Sequence, residues 1–472
     1  MGHILFVQTQ AFAYPGLYYI CGALKDSGYQ YNVMVSADHL SILEYIKIHR
    51  PTVVGFPCMT GMHKTVLQIA LEIKKAFPQC KTLIGGIHPT LYPEIINEQQ
   101  VDFICRGEGE YPTVELLKAL DEGVVDFSIK NISYKKNGAV RHNPMRQLIQ
   151  PLDSLPLPDY SIYRNTSVIA SDTFPMVYMT RGCPFSCTYC HNSNQRKIYR
   201  GLGKYVRNFS VDRILDEVSA ALTNYSNTTA VMLGSDTLGN DMEFITNLFN
   251  GFNRRFDVPY TCLIHPEFVT ENLVKLLRDT NCHMIAFGVE SGSERIRKDL
   301  LNRKYSNKQI IKISKLLNQY GVKFRTYNIV GFPSETREEM LATLKLNQAI
   351  KPNFPWASIF TPYPETKLSD FAKEYGYLEK NFTYDNVPVS FFNDTLLRKV
   401  DRDFILNLHA FFQLYVLVPW LYPATKVLLS LPHNQIFRVI FKLIYSYVCI
   451  KSENRKVFSF LKLAMANRKL FR

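Results

Sequence analysis

Two rounds of alternation between short apolar runs and helix-like segments constrain what this chain can fold into more than any other feature. In the first, strands are expected at "HILFVQ" (3–8), "YNVMVS" (31–36), "TVVGF" (52–56), "KTLIGG" (81–86) and "VDFICRG" (101–107), with segments such as "LYYICGALKDSG" and "HKTVLQIALEIKKAF" between them. Short strands joined through helices predict an open, doubly wound parallel sheet of Rossmann-like type, with helices on both faces. The second round predicts strands at 175–180, 229–234, 260–264, 283–291, 323–331 and 356–361, separated by helices near 211–222, 270–279, 306–319 and 335–349. Six such units predict a partial (β/α)6 barrel, with reactive groups at the carboxyl ends of its strands.

Between the two rounds, "SYKKNGAVRHNP" reads as a hairpin turning at Asn137-Gly138. "PLDSLPLPDY" (151–160) holds three prolines in ten residues and reads as a linker. The expected organisation is therefore α/β, with a sheet domain over 1–150, a linker over 151–173, a barrel over 174–375 and a helical C-terminal region over 376–472.

Ligands of open parallel sheets bind outside the carboxyl ends of the strands. Those ends carry "PCMTG", "GGIHPT" and "RGEGE", which make Thr60, Gly85, Gly86, His88, Gly107, Glu108 and Gly109 candidate ligand contacts. Glycine lets backbone approach a ligand closely, and it also shapes tight strand-to-helix turns. Three such loops on one sheet edge favour a bound ligand.

The first barrel strand runs into "TRGCPFSCTYCHN" (180–192), where Cys183, Cys187 and Cys190 stand at spacings of four and three. Thiolates suit zinc or iron–sulfur centres. Structural zinc sites usually use two Cys-x-x-Cys pairs, and no second pair is present; His191, directly after Cys190, is badly placed as a fourth ligand. A four-iron cluster on three cysteines would leave one iron open to a substrate or cofactor. The other seven cysteines are scattered singly, which fits a reducing compartment better than a disulfide framework.

The Cys-x-x-x-Cys-x-aromatic-Cys pattern, with Tyr189 as the aromatic residue, resembles the radical S-adenosylmethionine (radical SAM) superfamily. The resemblance implies a [4Fe-4S] cluster on the three cysteines, with SAM chelating the fourth iron and Tyr189 near the adenine. "GVESGSERIRKDLLNRKYSNKQI" (288–310) and "YNIVGFPSETREE" (327–339) resemble the SAM-contacting strand ends of that superfamily. They imply Glu290 and Ser291 at the ribose or amino-acid part and Gly331 and Phe332 at the adenine. Many members place Gly-Gly-Glu or an acidic pair where this chain has "MLGSDTLG", so Asp236 is the one carboxylate there to meet the SAM amino group.

"GGIHPTLYPE", "VDFICRGEGE" and "LDSLPLPD" together resemble the cobalamin-binding-domain subclass of that superfamily. The usual axial-ligand signature Asp-x-His-x-x-Gly is absent: Asp38 and His39 are adjacent, and neither His63 nor His88 has an Asp two residues before it. Either cobalamin binds with no protein histidine on its lower face or the domain has lost it; the glycine-bearing loops favour binding. The resemblance implies a methyltransferase, an electron donor such as flavodoxin or ferredoxin, and a small-molecule or lipid-like substrate. The rival readings are a cyclase or rearrangement enzyme of the same architecture, and a non-catalytic iron–sulfur binding protein.

Charge adds a separate constraint. The chain of 472 residues carries a formal +14, and residues 396–472 hold 13 Lys/Arg against 3 Asp/Glu. A nucleic-acid enzyme would spread its basic surface around the cleft, so no nucleic-acid partner is expected. The N-terminus lacks a secretory pattern, and a cytoplasmic location is expected. Residues 404–425 are uncharged for about the length of a membrane span. Asn407, His409, Gln413, Pro419 and Pro423 argue against a spanning helix. That leaves a cap packed on the barrel, or an interfacial element at the inner face of a membrane.

Overall fold

Along β1 (His3–Gln8), Ile4 and Phe6 enter one apolar cluster while Leu5 and Val7 enter another. A strand whose alternate residues are buried on opposite faces must be covered on both, and helices supply the cover. Helices His39–His49 and His63–Ala76 contribute Ile42, Ile46, Val66, Ile69 and Ile73 to one side. Helices Pro15–Asp26 and Glu110–Asp121 contribute Leu17, Leu24, Leu116 and Leu117 to the other. The computed structural model describes residues 2–170, 174–225 and 227–467. They form two compact units, one from residues 2–170, 194–225 and 461–467, the other from 174–193 and 227–460.

In the first unit β1 is joined by β2 (Gln30–Val35), β3 (Val53–Pro57), β4 (Lys81–Gly85) and β5 (Phe103–Cys105), all parallel. The hairpin β6 (Ile132–Lys136) and β7 (Ala139–His142) extends the sheet antiparallel beyond β5. The order β2-β1-β3-β4-β5-β6-β7 reverses direction between β1 and β3. That reversal opens a crevice at the carboxyl ends, the usual ligand position in doubly wound sheets. The hairpin turns at Asn137 and Gly138, both at positive φ (52° and 77°), as a tight two-residue turn requires. Residues 151–163 make only two short turns, Leu152–Ser154 and Tyr160–Tyr163, and bury Leu152, Leu155, Tyr160 and Tyr163.

The second unit holds six parallel strands: β8 (Met176–Tyr178), β9 (Val231–Leu238), β10 (Tyr260–Ile264), β11 (Cys282–Glu290), β12 (Phe324–Val330) and β13 (Phe354–Ile359). They pair strictly in sequence order, from β8 at one edge to β13 at the other. Sequential parallel pairing is the order of a barrel left open, as the second alternation predicted.

Burial explains the first part of the uncharged C-terminal stretch, residues 404–416, whereas 417–425 are exposed or half-buried. Helix Arg402–Leu417 packs Phe404, Ile405, Leu408, Phe411, Phe412 and Tyr415 with Val330, Ala357 and Ile359 of the barrel. Two of its polar side chains donate internally. Asn407 Nδ2 donates to Leu431 O at 2.6 Å and Gln413 Nε2 to Pro355 O at 2.9 Å. Among the described residues no helix is long and apolar enough to cross a membrane.

Candidate active site

The cysteine loop leaves β8 and turns at Gly182, whose φ is +84°. Several contacts inside the second unit pin it. Thr188 Oγ1 donates to Leu300 O (2.6 Å), Asn302 Nδ2 to Ser186 Oγ (3.0 Å), and Leu368 N to Thr188 O (3.1 Å). Phe185 stacks on His265 with ring centroids 3.7 Å apart, and burial holds that imidazole neutral, its pKa pushed down to about 3. Cys187 is buried, while Cys183 and Cys190 are partly exposed, and none is in a disulfide. Burial raises the Cys190 thiol to about 11, and charge on Cys187, Cys183 and Asp236 adds to the rise, so these four groups share one field. Among the described residues no three His, Cys, Asp or Glu side chains converge as ligands of a single ion. The donor set, three free thiols on one loop, fits a four-iron cluster.

One guanidinium joins this loop to the end of β11. Arg303 Nη1 lies 3.3 Å from Glu290 Oε1 and 3.5 Å from Cys187 Sγ, and donates to Tyr189 Oη at 3.1 Å. Its Nε donates to Tyr305 Oη (2.5 Å), and Tyr305 Oη donates to Gly288 O (2.7 Å). Burial raises the Glu290 carboxyl, opposed by Arg303 and by the Tyr189 hydroxyl bonded to it. Glu290 is at φ +63°, a conformation that costs a non-glycine residue on the order of 1–3 kcal/mol and persists only where its surroundings impose it. Gly288 makes the room: a Cβ there would lie 2.0 Å from Glu290 Oε1.

A second carboxylate links the next two predicted contacts. Glu335 Oε2 accepts from Gly331 N (2.8 Å) and Phe332 N (3.0 Å), and Ser291 Oγ donates to Oε1 at 3.3 Å. Burial pushes the Glu335 carboxyl up to about 8, against the pull of those donors. Phe332 is fully buried, its ring 6.4 Å from that of Tyr189. Asp236 is exposed on β9 and meets the loop through its charge.

The candidate residues of the first unit gather at the carboxyl edge of its sheet. Cys58 N donates to Gly85 O (2.8 Å) and His88 N to Cys58 O (3.1 Å), which ties the loops after β3 and β4. Gly86, at φ +98°, has no space for a Cβ, which would stand 3.0 Å from Cys58 O. Thr90 bridges onward, its Oγ1 donating to Gly86 O (2.7 Å) and accepting from Gly107 N (2.8 Å). Gly109 precedes helix Glu110–Asp121. Glu108 is held by Arg207 (2.9 Å) and accepts from Ile149 N (2.8 Å), which makes it part of the scaffold of this edge. His88 is fully buried, with Nδ1 3.2 Å from Thr60 Oγ1 and its ring stacked on His63 at 4.5 Å. Burial and His63 push its pKa down to about 3, so His88 is neutral. A Cβ on Gly107 would meet Tyr199 and Met145, so what this edge presents to a flat cofactor is chiefly the backbone of Gly85 and Gly86 with Thr60.

Arg303, Tyr305, His265, Glu335 and Thr90 were not among the residues expected from the sequence. Arg303 is one of several basic residues in its stretch, and nothing in the spacing separates it from Arg295 or Arg297. Only the return of the chain onto the cysteine loop does so.

Comparison with known proteins matches residues 177–346 to the radical SAM superfamily and residues 11–117 to the B12 binding domain. The uncharacterized methyltransferase PH0819 of Pyrococcus horikoshii is 31% identical over 70% of this chain and 71% of its own length. The anaerobic magnesium-protoporphyrin IX monomethyl ester cyclase of Rubrivivax gelatinosus is 27% identical over 78% of this chain and 67% of its own length. The structure of the radical SAM methyltransferase TsrM from Kitasatospora setae, with cobalamin and a [4Fe-4S] cluster bound, superposes with a TM-score of 0.65 at 16% identity, over 79% of this chain and 75% of TsrM. With two family domains in this order and a relative of this identity across most of both chains, the protein belongs to the radical SAM enzymes that carry an N-terminal B12-binding domain.

Proposed function

We propose that this protein is a cobalamin-dependent radical SAM methyltransferase acting on a small or lipid-like molecule. A [4Fe-4S] cluster and cobalamin would together let one SAM supply a methyl group and a second SAM be cleaved by one electron to methionine and a 5′-deoxyadenosyl radical that removes hydrogen from the substrate. Cys183, Cys187 and Cys190 would hold the cluster. Arg303 would fix Glu290 and Tyr189 toward the bound SAM, and Glu335 would set the Gly331–Phe332 turn against the adenine. Asp236 would receive the SAM amino group. In the first unit the turns at Thr60, Gly85, Gly86, Gly107 and Gly109 would seat cobalamin, with no histidine on its cobalt.

The observation that carries this reading is the single guanidinium shared by Cys187, Tyr189 and Glu290, which joins the thiol loop to the predicted SAM-facing strand end. The methyltransferase relative at 31% identity supports the transferase branch. The cyclase relative keeps a second reading in view, radical SAM chemistry that ends in ring formation. A flavodoxin or ferredoxin would supply the electron, and we place the protein in the cytoplasm, peripheral at the inner face of the membrane.

The test is anaerobic. Reconstituted, reduced protein should form 5′-deoxyadenosine from SAM, and the variant with Cys183, Cys187 and Cys190 all changed to Ala should contain no iron or sulfide and form none. A triple variant that still incorporates a normal cluster would refute the assignment.

A further inference from the structure

Helix Gln435–Ser452 is apolar on two faces, and the core uses only one. Phe437, Phe441, Val448 and Cys449 are buried. Ile436, Val439, Leu443 and Tyr447 are 70, 54, 67 and 59% exposed. At about 100° per residue these four fall within an arc of about 80°, a continuous stripe along the helix. Isolated exposed apolar residues need no explanation, but a stripe of this kind marks a surface meant to be covered. Trp420 and Val427, in the connection that precedes the helix, are also well exposed, at 74 and 64%.

The charges beside the stripe identify what covers it. The helix holds Arg438, Lys442 and Lys451 and no acidic residue. By the same angular count, Arg438 and Lys442 lie to one side of the stripe and Lys451 to the other. None of the three pairs with a carboxylate among the described residues. Arg438 and Lys442 also line one small cavity with His409 and His433, which makes the edge of the stripe locally basic. A second copy of this chain would bring these cations against themselves across a symmetric interface. Aliphatic and tyrosine side chains between flanking cations, on a helix of 18 residues that cannot cross a bilayer, are the composition of a segment lying in the interface plane.

We infer that the stripe Ile436–Val439–Leu443–Tyr447, flanked by Arg438, Lys442 and Lys451, docks the protein on an anionic lipid bilayer. This gives a surface to the peripheral placement proposed above and does not depend on the chemistry at the cysteine loop. The apolar residues enter the boundary between headgroups and acyl chains, and the cations meet lipid phosphates whose attraction salt weakens.

Flotation of the full-length reconstituted protein with vesicles tests this. It should rise with phosphatidylcholine–phosphatidylglycerol vesicles at low ionic strength, stay behind with phosphatidylcholine alone, and be released by salt. Lys442→Glu with Lys451→Glu should lower partitioning at least about tenfold, and Leu443→Ser with Tyr447→Ser comparably. Both pairs are exposed, so the variants should keep the wild-type melting transition and form 5′-deoxyadenosine normally without lipid. Loss of flotation with that activity intact therefore reports on the surface, and loss of activity with flotation intact reports on the site. Absence of wild-type flotation at low salt, or equal flotation of the variants, would overturn the proposal. So would a lipid-free dimer that Leu443→Ser with Tyr447→Ser converts to monomer, which would make a second copy the occupant.

Discussion

Arg303 Nη1 stands 3.3 Å from Glu290 Oε1 and 3.5 Å from Cys187 Sγ, with both members of the ion pair 9% exposed. A buried guanidinium placed between a carboxylate and a thiol holds the end of β11 and the cysteine loop in one geometry. Removing it strands the carboxylate.

Arg303→Met is therefore expected to destabilise the protein by roughly 3–5 kcal/mol, the usual cost of leaving one buried charge unpaired. Adding Glu290→Gln should recover part of that loss, because the orphaned charge goes with it. Urea unfolding of the two variants measures both effects. A cost below about 1 kcal/mol for Arg303→Met would mean that the pair is effectively solvated.

The glycines of "GVESG" are expected to separate two roles. A Cβ on Gly288 would meet the Glu290 carboxylate, the end of a side chain, whereas a Cβ on Gly292 would lie 2.3 Å from the backbone oxygen of Ala342. Gly288→Ala should weaken SAM binding by displacing Glu290, and should lower the melting transition by loosening its buried pair with Arg303. Gly292→Ala should cost about 1–3 kcal/mol through overpacking. Thermal melts beside equilibrium SAM binding would reveal a reversal of these effects.

Glu335 gives a pH signature. Its carboxyl rises from an ordinary 4.5 to about 8 in the fold, so the native state holds this proton more tightly than the unfolded chain. The resulting stabilisation is complete below about 4.5 and is lost as pH rises through about 8. Glu335→Gln imitates the protonated group and should remove that slope. The difference between wild type and variant, taken from urea unfolding at several pH values between 5 and 8, should fall with rising pH. A difference that grows would place Glu335 among the carboxylates stabilised in their charged form.

These particulars show what the sequence makes legible. The period-two burial of Ile4, Leu5, Phe6 and Val7 and the two alternating series are local patterns, so both sheets can be read from them. Cys183, Cys187 and Cys190 are legible because their spacing is itself the signal. Arg303 and Glu335 act through contacts made only once the chain has folded back, and their neighbours in sequence carry the same chemistry without the same place. Charge alone left the C-terminal region divided between cap and interface. Burial divides it differently, into the packed helix Arg402–Leu417 and the exposed stripe of Gln435–Ser452.

Cobalamin bound to this protein is expected to lack a protein nitrogen on cobalt. His88 is stacked on His63 and bonded to Thr60, in no axial-ligand signature. Electron paramagnetic resonance of the cob(II)alamin state should show no nitrogen splitting from the protein. Splitting that disappears on substitution of His39, His63 or His88 would contradict this.

The fate of SAM tests the central claim most directly. Reduced, reconstituted protein supplied with substrate, cobalamin and SAM carrying a deuterated methyl group should yield S-adenosylhomocysteine and 5′-deoxyadenosine in equal amounts, with the labelled methyl on the product. Formation of 5′-deoxyadenosine with no S-adenosylhomocysteine and no methyl transfer would contradict the methyltransferase account and select ring formation or rearrangement.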